Sequence, residues 1–97
     1  MLRYKLTLKA VDDLTQIWNY TFEVWSENQA DKYYNLLVLN FIEIAKNPYI
    51  GRKYTVIQQD LFGFLVGKHI VFYRIVDDEE IEIVRILHQQ MDINNKI

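Results

Sequence analysis

Two amphipathic stripes meet at Ser26 with nothing between them, and this junction limits the folds open to the chain more than any other feature. Val11, Leu14, Ile17, Trp18, Phe22 and Trp25 recur at helical spacing, with Asp12, Asp13, Gln16, Asn19 and Glu23 on the opposite face. Asp12 and Asp13 fall near the start of this stripe, where a helix dipole favours anions. Ser26-Glu27-Asn28-Gln29 then reads as a capping box, with Ser26 as N-cap and Gln29 three residues on. Ala30, Tyr33, Tyr34, Leu37, Phe41, Ile44 and Ala45 form the second stripe. It has to end near Asn47, because Pro48 disfavours helix in the residue before it and cannot continue the hydrogen-bond ladder. The spacing predicts helices over about residues 9–25 and from Ser26 to Asn47, joined as an antiparallel hairpin. Trp18, Phe22, Trp25, Tyr33, Tyr34 and Phe41 are expected in the core. Such a hairpin cannot bury its own apolar stripe, so the rest of the chain must supply a second layer.

That layer reads as strands. Leu2, Tyr4, Leu6 and Leu8 alternate with Arg3, Lys5 and Thr7, the pattern of a half-buried strand, and Thr7 can cap the helix that follows. Arg52 to Gln59 is ambiguous between loop and strand. Leu61 to Val66 is apolar, with Gly63 marking a bend or a close backbone approach. Gly67-Lys68 is a tight hairpin turn, His69 to Val76 a strand, and Asp77-Asp78-Glu79 a second turn. In the last strand, Glu80 to His88, alternation puts Ile81, Ile83, Arg85 and Leu87 on one face and Glu82, Val84, Ile86 and His88 on the other. A polar tail begins at Gln89. The order β-α-α-β-β-β predicts a single α+β domain over residues 1–97, an N-terminal helical hairpin packed on an antiparallel sheet.

Composition narrows the function classes. The chain has no cysteine, which excludes a disulfide scaffold and a thiolate metal site and suits a reducing cytoplasm. No apolar signal-peptide core follows Met1, and the longest apolar run, Leu36 to Leu39, is far too short to span a bilayer; a cytoplasmic protein without a membrane partner is expected. The net charge of −2 argues against a general nucleic-acid binder, and no sequence-specific nucleic-acid binding is expected. The cations Arg52, Lys53, Lys68, Arg74 and Arg85 nevertheless fall in the second half, where they could form a local basic patch. The two histidines lack a helical metal-ligand spacing, so neither a metal nor another cofactor is expected.

Arg85 interrupts an otherwise apolar face. A guanidinium that cannot lose its proton must either serve a site that stabilises charge or pair with Glu82, Glu79 or a helix carboxylate to pin the sheet. His88 can act as an acid or base near neutral pH, or be hydrogen-bonded to the chain end or to Tyr73. His69 opens a strand beside a tight turn, which suits a surface or hydrogen-bonding role. Tyr73 and Arg74 point to opposite faces, and a tyrosine so placed is either an acid–base group or packing. Lys53 and Lys68 either meet phosphate or are solvated.

Read together, several segments resemble the ParE branch of the RelE/ParE toxin superfamily. They are Ala10-Val-Asp-Asp-Leu14, Ile17-Trp-Asn-Tyr20, Trp25, Gln29-Ala30 with Tyr33, Asn47-Pro48 with Gly51, Gly67-Lys-His-Ile-Val-Phe-Tyr73, and Ile83-Val-Arg-Ile-Leu-His88 with Met91-Asp92. They span nearly the whole chain, and the two C-terminal segments are the most specific. The resemblance implies a non-enzymatic toxin of a type II toxin–antitoxin pair that blocks DNA gyrase. A cognate ParD-like antitoxin would silence it in a hetero-oligomer, laying a flexible segment beside the helix hairpin and sheet edge. It implies target or antitoxin contacts at Arg85, His88, Met91, Asp92, His69 and Tyr33. The alternative on the same fold is a ribosome-dependent messenger-RNA endonuclease using Arg85, His88, Tyr73 and Lys53; a further one is a non-toxic remnant that only binds antitoxin. One departure stands out. Many relatives carry an arginine in the strand before the Gly-Lys-His turn, whereas Leu61-Phe62-Gly63-Phe64 has none.

Overall fold

A computed structural model describes residues 3–97. The elements run β1 (Arg3–Leu6), α1 (Leu8–Val24), α2 (Glu27–Lys46), β2 (Arg52–Lys53), β3 (Phe62–Val66), β4 (His69–Ile75) and β5 (Glu80–His88), with a closing 3-10 turn at Ile93–Asn95. Both caps act as the sequence predicts: Thr7 Oγ1 accepts from Ala10 N–H, and Ser26 Oγ from Gln29 N–H. Helix α2 ends at Lys46, with Asn47 as its C-cap ahead of Pro48. Leu2, expected in the first strand, lies outside the described residues, and Leu8 belongs to α1 rather than to the strand. The ambiguous segment after Gly51 resolves into the two-residue β2 and a turn-rich loop.

The sheet order is β1-β5-β4-β3-β2. Strands β2 to β5 form the antiparallel meander, each pairing with the next. Strand β1 adds to it in parallel, Arg3 against Glu80 through Leu6 against Ile83, so the sheet is mixed. Parallel pairing is open to β1 because the helical hairpin, not a tight turn, carries the chain away from it. The hairpin covers one face. Leu37, Phe41 and Ile44 of α2 and Ala10 and Leu14 of α1 meet Val71, Tyr73, Ile81, Ile83 and Ile86 of the sheet. The other face carries a smaller cluster, Leu61, Ile70, Phe72 and Leu87, roofed by Tyr54 and Ile57 of the loop and by Ile93 and Ile97 of the tail.

Two expectations are corrected here. The even alternation along β5 fails, because the β4–β5 register shifts between Phe72 and Tyr73: Phe72 stands opposite Arg85, and Tyr73 opposite Ile83. Ile86 therefore joins Ile81 and Ile83 on the helix-covered side, while Leu87 belongs to the second cluster. The aromatic stripe is also only partly core. Phe41 is fully buried, Trp18 and Tyr33 are half-buried, and Phe22, Tyr34 and Trp25 are exposed, Trp25 by 73%. The sheet is wide enough to cover one face of the hairpin, not its outer side or the end near Ser26.

Candidate functional site

The site follows from the shortness of β1. It pairs with β5 only as far as Ile83, so the edge of β5 beyond that point has no strand neighbour. Groups from the N-terminal half of the hairpin take the place of one. Thr7 Oγ1 donates to Val84 O at 2.8 Å, and Ile86 N–H donates to Asp13 Oδ2 at 2.9 Å. The same carboxylate receives Arg85: Nε donates to Oδ2 at 2.8 Å and Nη2 to Oδ1 at 2.9 Å, the two-pronged geometry that suits a planar guanidinium. Arg85 Nη1 donates to the carbonyl of Lys96 in the tail. The bond to Asp13 holds the guanidinium even more firmly protonated than usual. Asp13 thus ties α1 to β5; it lies beyond the first turn of the helix, and the dipole role expected of it is not its part.

Where the strand edge gives way to α1, a groove of about 1090 Å³ opens between α1 with the start of α2 on one side and the end of β5, the β3–β4 turn and the tail on the other. Its walls are largely apolar and aromatic, with Ile17, Tyr20, Val24, Trp25 and Tyr33 from the helices. Lys68, His69 and His88 sit at one end, with Met91 and Lys96 from the tail. It is partly open to solvent rather than an enclosed cavity.

The polar end is internally bonded. Tyr33 Oη accepts from Lys68 N–H and lies 2.6 Å from His69 Nδ1 and 3.2 Å from Val66 O. His69 stands directly across the sheet from His88, ring centroids 5.4 Å apart. Burial, and then the neighbouring His88, push His69 down to about 4, with Asp13 a smaller opposing influence. It is therefore neutral at pH 7. Burial raises the Tyr33 and Tyr73 hydroxyls above their usual range, partly offset by the backbone N–H groups of Lys68 and Gly51. His88 Nδ1 accepts from Gln90 N–H at 3.1 Å, a bond to the tail.

The candidates read from the sequence divide accordingly. Arg85, His88, His69, Tyr33 and Met91 converge on the groove. Asp92 does not line it, and its carboxylate accepts from Asn95 within the tail. Tyr73 is buried in the core, its hydroxyl donating to Pro48 O and accepting from Gly51 N–H. Lys53 lies on β2, at the opposite edge of the sheet from β1. The five late cations do not form one patch: Lys68 and Arg85 line the groove, Arg74 pairs with Glu82, Arg52 lies over the Tyr54 ring, and Lys53 stands beside it. Phe62, in the stretch that has no arginine, stacks on Tyr73 in the core. Asp13, Gln16, Tyr20 and Lys96 line the groove and were not read as site residues; the one signal available was the need of Arg85 for a helix carboxylate. Among the described residues no group of three or more His, Cys, Asp or Glu is placed to hold a metal, and no helix is long and apolar enough to cross a membrane.

Comparison with known proteins decides the family. The model for the ParE toxin of type II toxin-antitoxin system, parDE, matches residues 4–93. The chain belongs to the ParE toxin family. Toxin ParE1 of Mycobacterium tuberculosis is 35% identical over 95 residues, covering 98% of this chain and 97% of the relative. Toxin ParE1 of Caulobacter vibrioides is 34% identical over 92 residues, covering 95% and 94%. A solved structure described as the chromosomal ParDE TA system from P. aeruginosa matches with a TM-score of 0.77 at 20% identity, over 91% of this chain and 96% of that one. That likeness shows a shared overall fold.

Proposed function

We propose that this ParE-family chain inhibits DNA gyrase without catalysing a reaction, and that a cognate antitoxin neutralises it by laying an amphipathic segment along the groove between α1 and the end of β5. The observation that carries the reading is the groove itself: largely apolar, walled by aromatics and beside the stretch of β5 that β1 leaves unpaired, a setting suited to peptide capture. Of the four residues that would make a ribonuclease, Arg85 and His88 line the groove and Tyr73 and Lys53 do not. The Arg85 guanidinium is engaged by Asp13 and the Lys96 carbonyl, Tyr73 by Pro48 and Gly51, and Lys53 stands on a distant strand. His69 is held neutral, and raised tyrosine hydroxyls are poor general bases at pH 7.

Purified gyrase, relaxed plasmid and the chain, with and without the antitoxin encoded beside it, test the proposal. Loss of supercoiling with accumulation of cleaved DNA, reversed by antitoxin, is expected. Unaffected gyrase with cleaved messenger RNA in a translation mixture would establish the endonuclease reading instead. Inertness in both assays with tight antitoxin binding would mark a remnant.

A further inference from the structure

The tail after β5 contacts both the groove and the far face of the sheet. Ile93 and Ile97 pack on the cluster of Leu61, Ile70, Phe72 and Leu87, while Met91 and Lys96 line the groove on the other side. Between them, Arg85 donates to the Lys96 carbonyl from a guanidinium already fixed to α1 by Asp13. The anchorage is slight for what it covers. Ile93 and Ile97 are only half-buried, the other residues of Met91–Ile97 are exposed, and the regular structure of the tail is a single 3-10 turn. Leu61 and Phe72 beneath it are fully buried. A segment with few buried contacts over an apolar face opens far more easily than the core around it.

We propose that Met91–Ile97 is a releasable strap over a second apolar face of the sheet, latched by Arg85, and that a segment occupying the groove holds it shut by resting on Met91 and Lys96. The second half of this proposal rests on the groove being the antitoxin's seat; the first half does not. Closed, the strap helps bury the Leu61–Phe72–Leu87 face; open, it exposes that face to solvent. Groove occupancy and strap closure then favour each other, and each must strengthen the other by the same factor.

The chain contains no cysteine, so a thiol placed beneath the strap reports its opening. Leu61→Cys, fully buried in the cluster the tail roofs, reports the strap, and Leu37→Cys, fully buried in the main core, reports global unfolding. Thiol labelling at 61 is expected to run at least about 100-fold faster than at 37 and to be nearly insensitive to low urea. Adding Ile97→Asp, or Arg85→Lys to remove the fork, should speed labelling at 61 by about tenfold. Ile97→Asp leaves the Asp13 pair intact and should keep the rate at 37 within about twofold. Equal rates and equal urea dependence at the two sites would show that the tail opens only with the whole domain, and would sink the strap. Saturating cognate antitoxin should slow labelling at 61, and Ile97→Asp should weaken antitoxin binding only in proportion to the open fraction it creates. Binding that leaves the rate at 61 unchanged, or raises it, would overturn the coupling. Absence of antitoxin binding would overturn the function proposed above, while the labelling of the free chain would still decide the strap.

Discussion

Asp13 accepts three hydrogen bonds from two residues more than seventy positions away in the chain, and among the described residues it is the one buried charged side chain. Replacing it with alanine would leave the Arg85 guanidinium and the Ile86 N–H facing apolar surroundings. Removing one partner of a buried pair costs about 3–5 kcal/mol, so Asp13→Ala should lower the urea midpoint sharply, and Asp13→Asn, which keeps an acceptor, less so. His69 gives a second test. Its folded value of about 4 lies below the unfolded 6.5, so the folded state binds fewer protons between them. Stability from this residue is complete above pH 6.5 and is lost as pH falls toward 4. Urea midpoints across that window should fall less steeply for His69→Asn than for the parent chain, since the carboxylates titrate in both. At this scale the sequence was partly readable. It showed that Arg85 needed a partner and named a helix carboxylate among the possibilities. It could not say which, because the register of α1 against β5 comes from packing between elements distant in the chain.

The helices and the hairpin turns follow local rules and were legible in advance. Thr7 and Ser26 cap as their neighbours predict, and Pro48 limits α2. Gly67 sits at φ +59 at the first position of its two-residue turn, and a Cβ there would come within 2.8 Å of the Tyr33 ring. Gly67→Ala should therefore cost about 1–3 kcal/mol, read as a lower melting temperature. The bulge in β5 was not legible. Alternation fixes faces only while pairing stays regular, and an extra residue reverses the faces beyond it. The exposed aromatics of α1 and α2 escape sequence reading for a different reason: periodicity shows which residues share a face, not whether the fold has enough material to cover it.

The whole molecule has two apolar layers of unequal weight, and its exposed aromatics divide: Tyr20 and Trp25 line the groove, while Phe22, Tyr34 and Tyr49 lie outside it. Trp25 is the most informative residue there. It is 73% exposed, lines the groove and holds no place in either core cluster. Trp25→Ala should leave the unfolding free energy within about 0.5 kcal/mol of the parent, as exposed substitutions do. Phe41→Ala, at the centre of the main core, should lose about 3–5 kcal/mol. Binding reverses the ranking. If the groove receives the antitoxin, an aromatic anchor lost from its wall should weaken the complex by at least about tenfold. The parent chain, with free antitoxin at about a hundred times its dissociation constant, should gain roughly 2.7 kcal/mol and melt about 10–20 °C higher. Because the chain has two tryptophans, indole fluorescence in a Trp18→Phe background provides the local readout, since Trp25 would pass from water into an apolar contact. A complex that raises the melting temperature equally for the parent and for Trp25→Ala would place the antitoxin elsewhere, and the outer aromatic face of the hairpin, where Phe22 and Tyr34 are exposed, would be the next surface to probe.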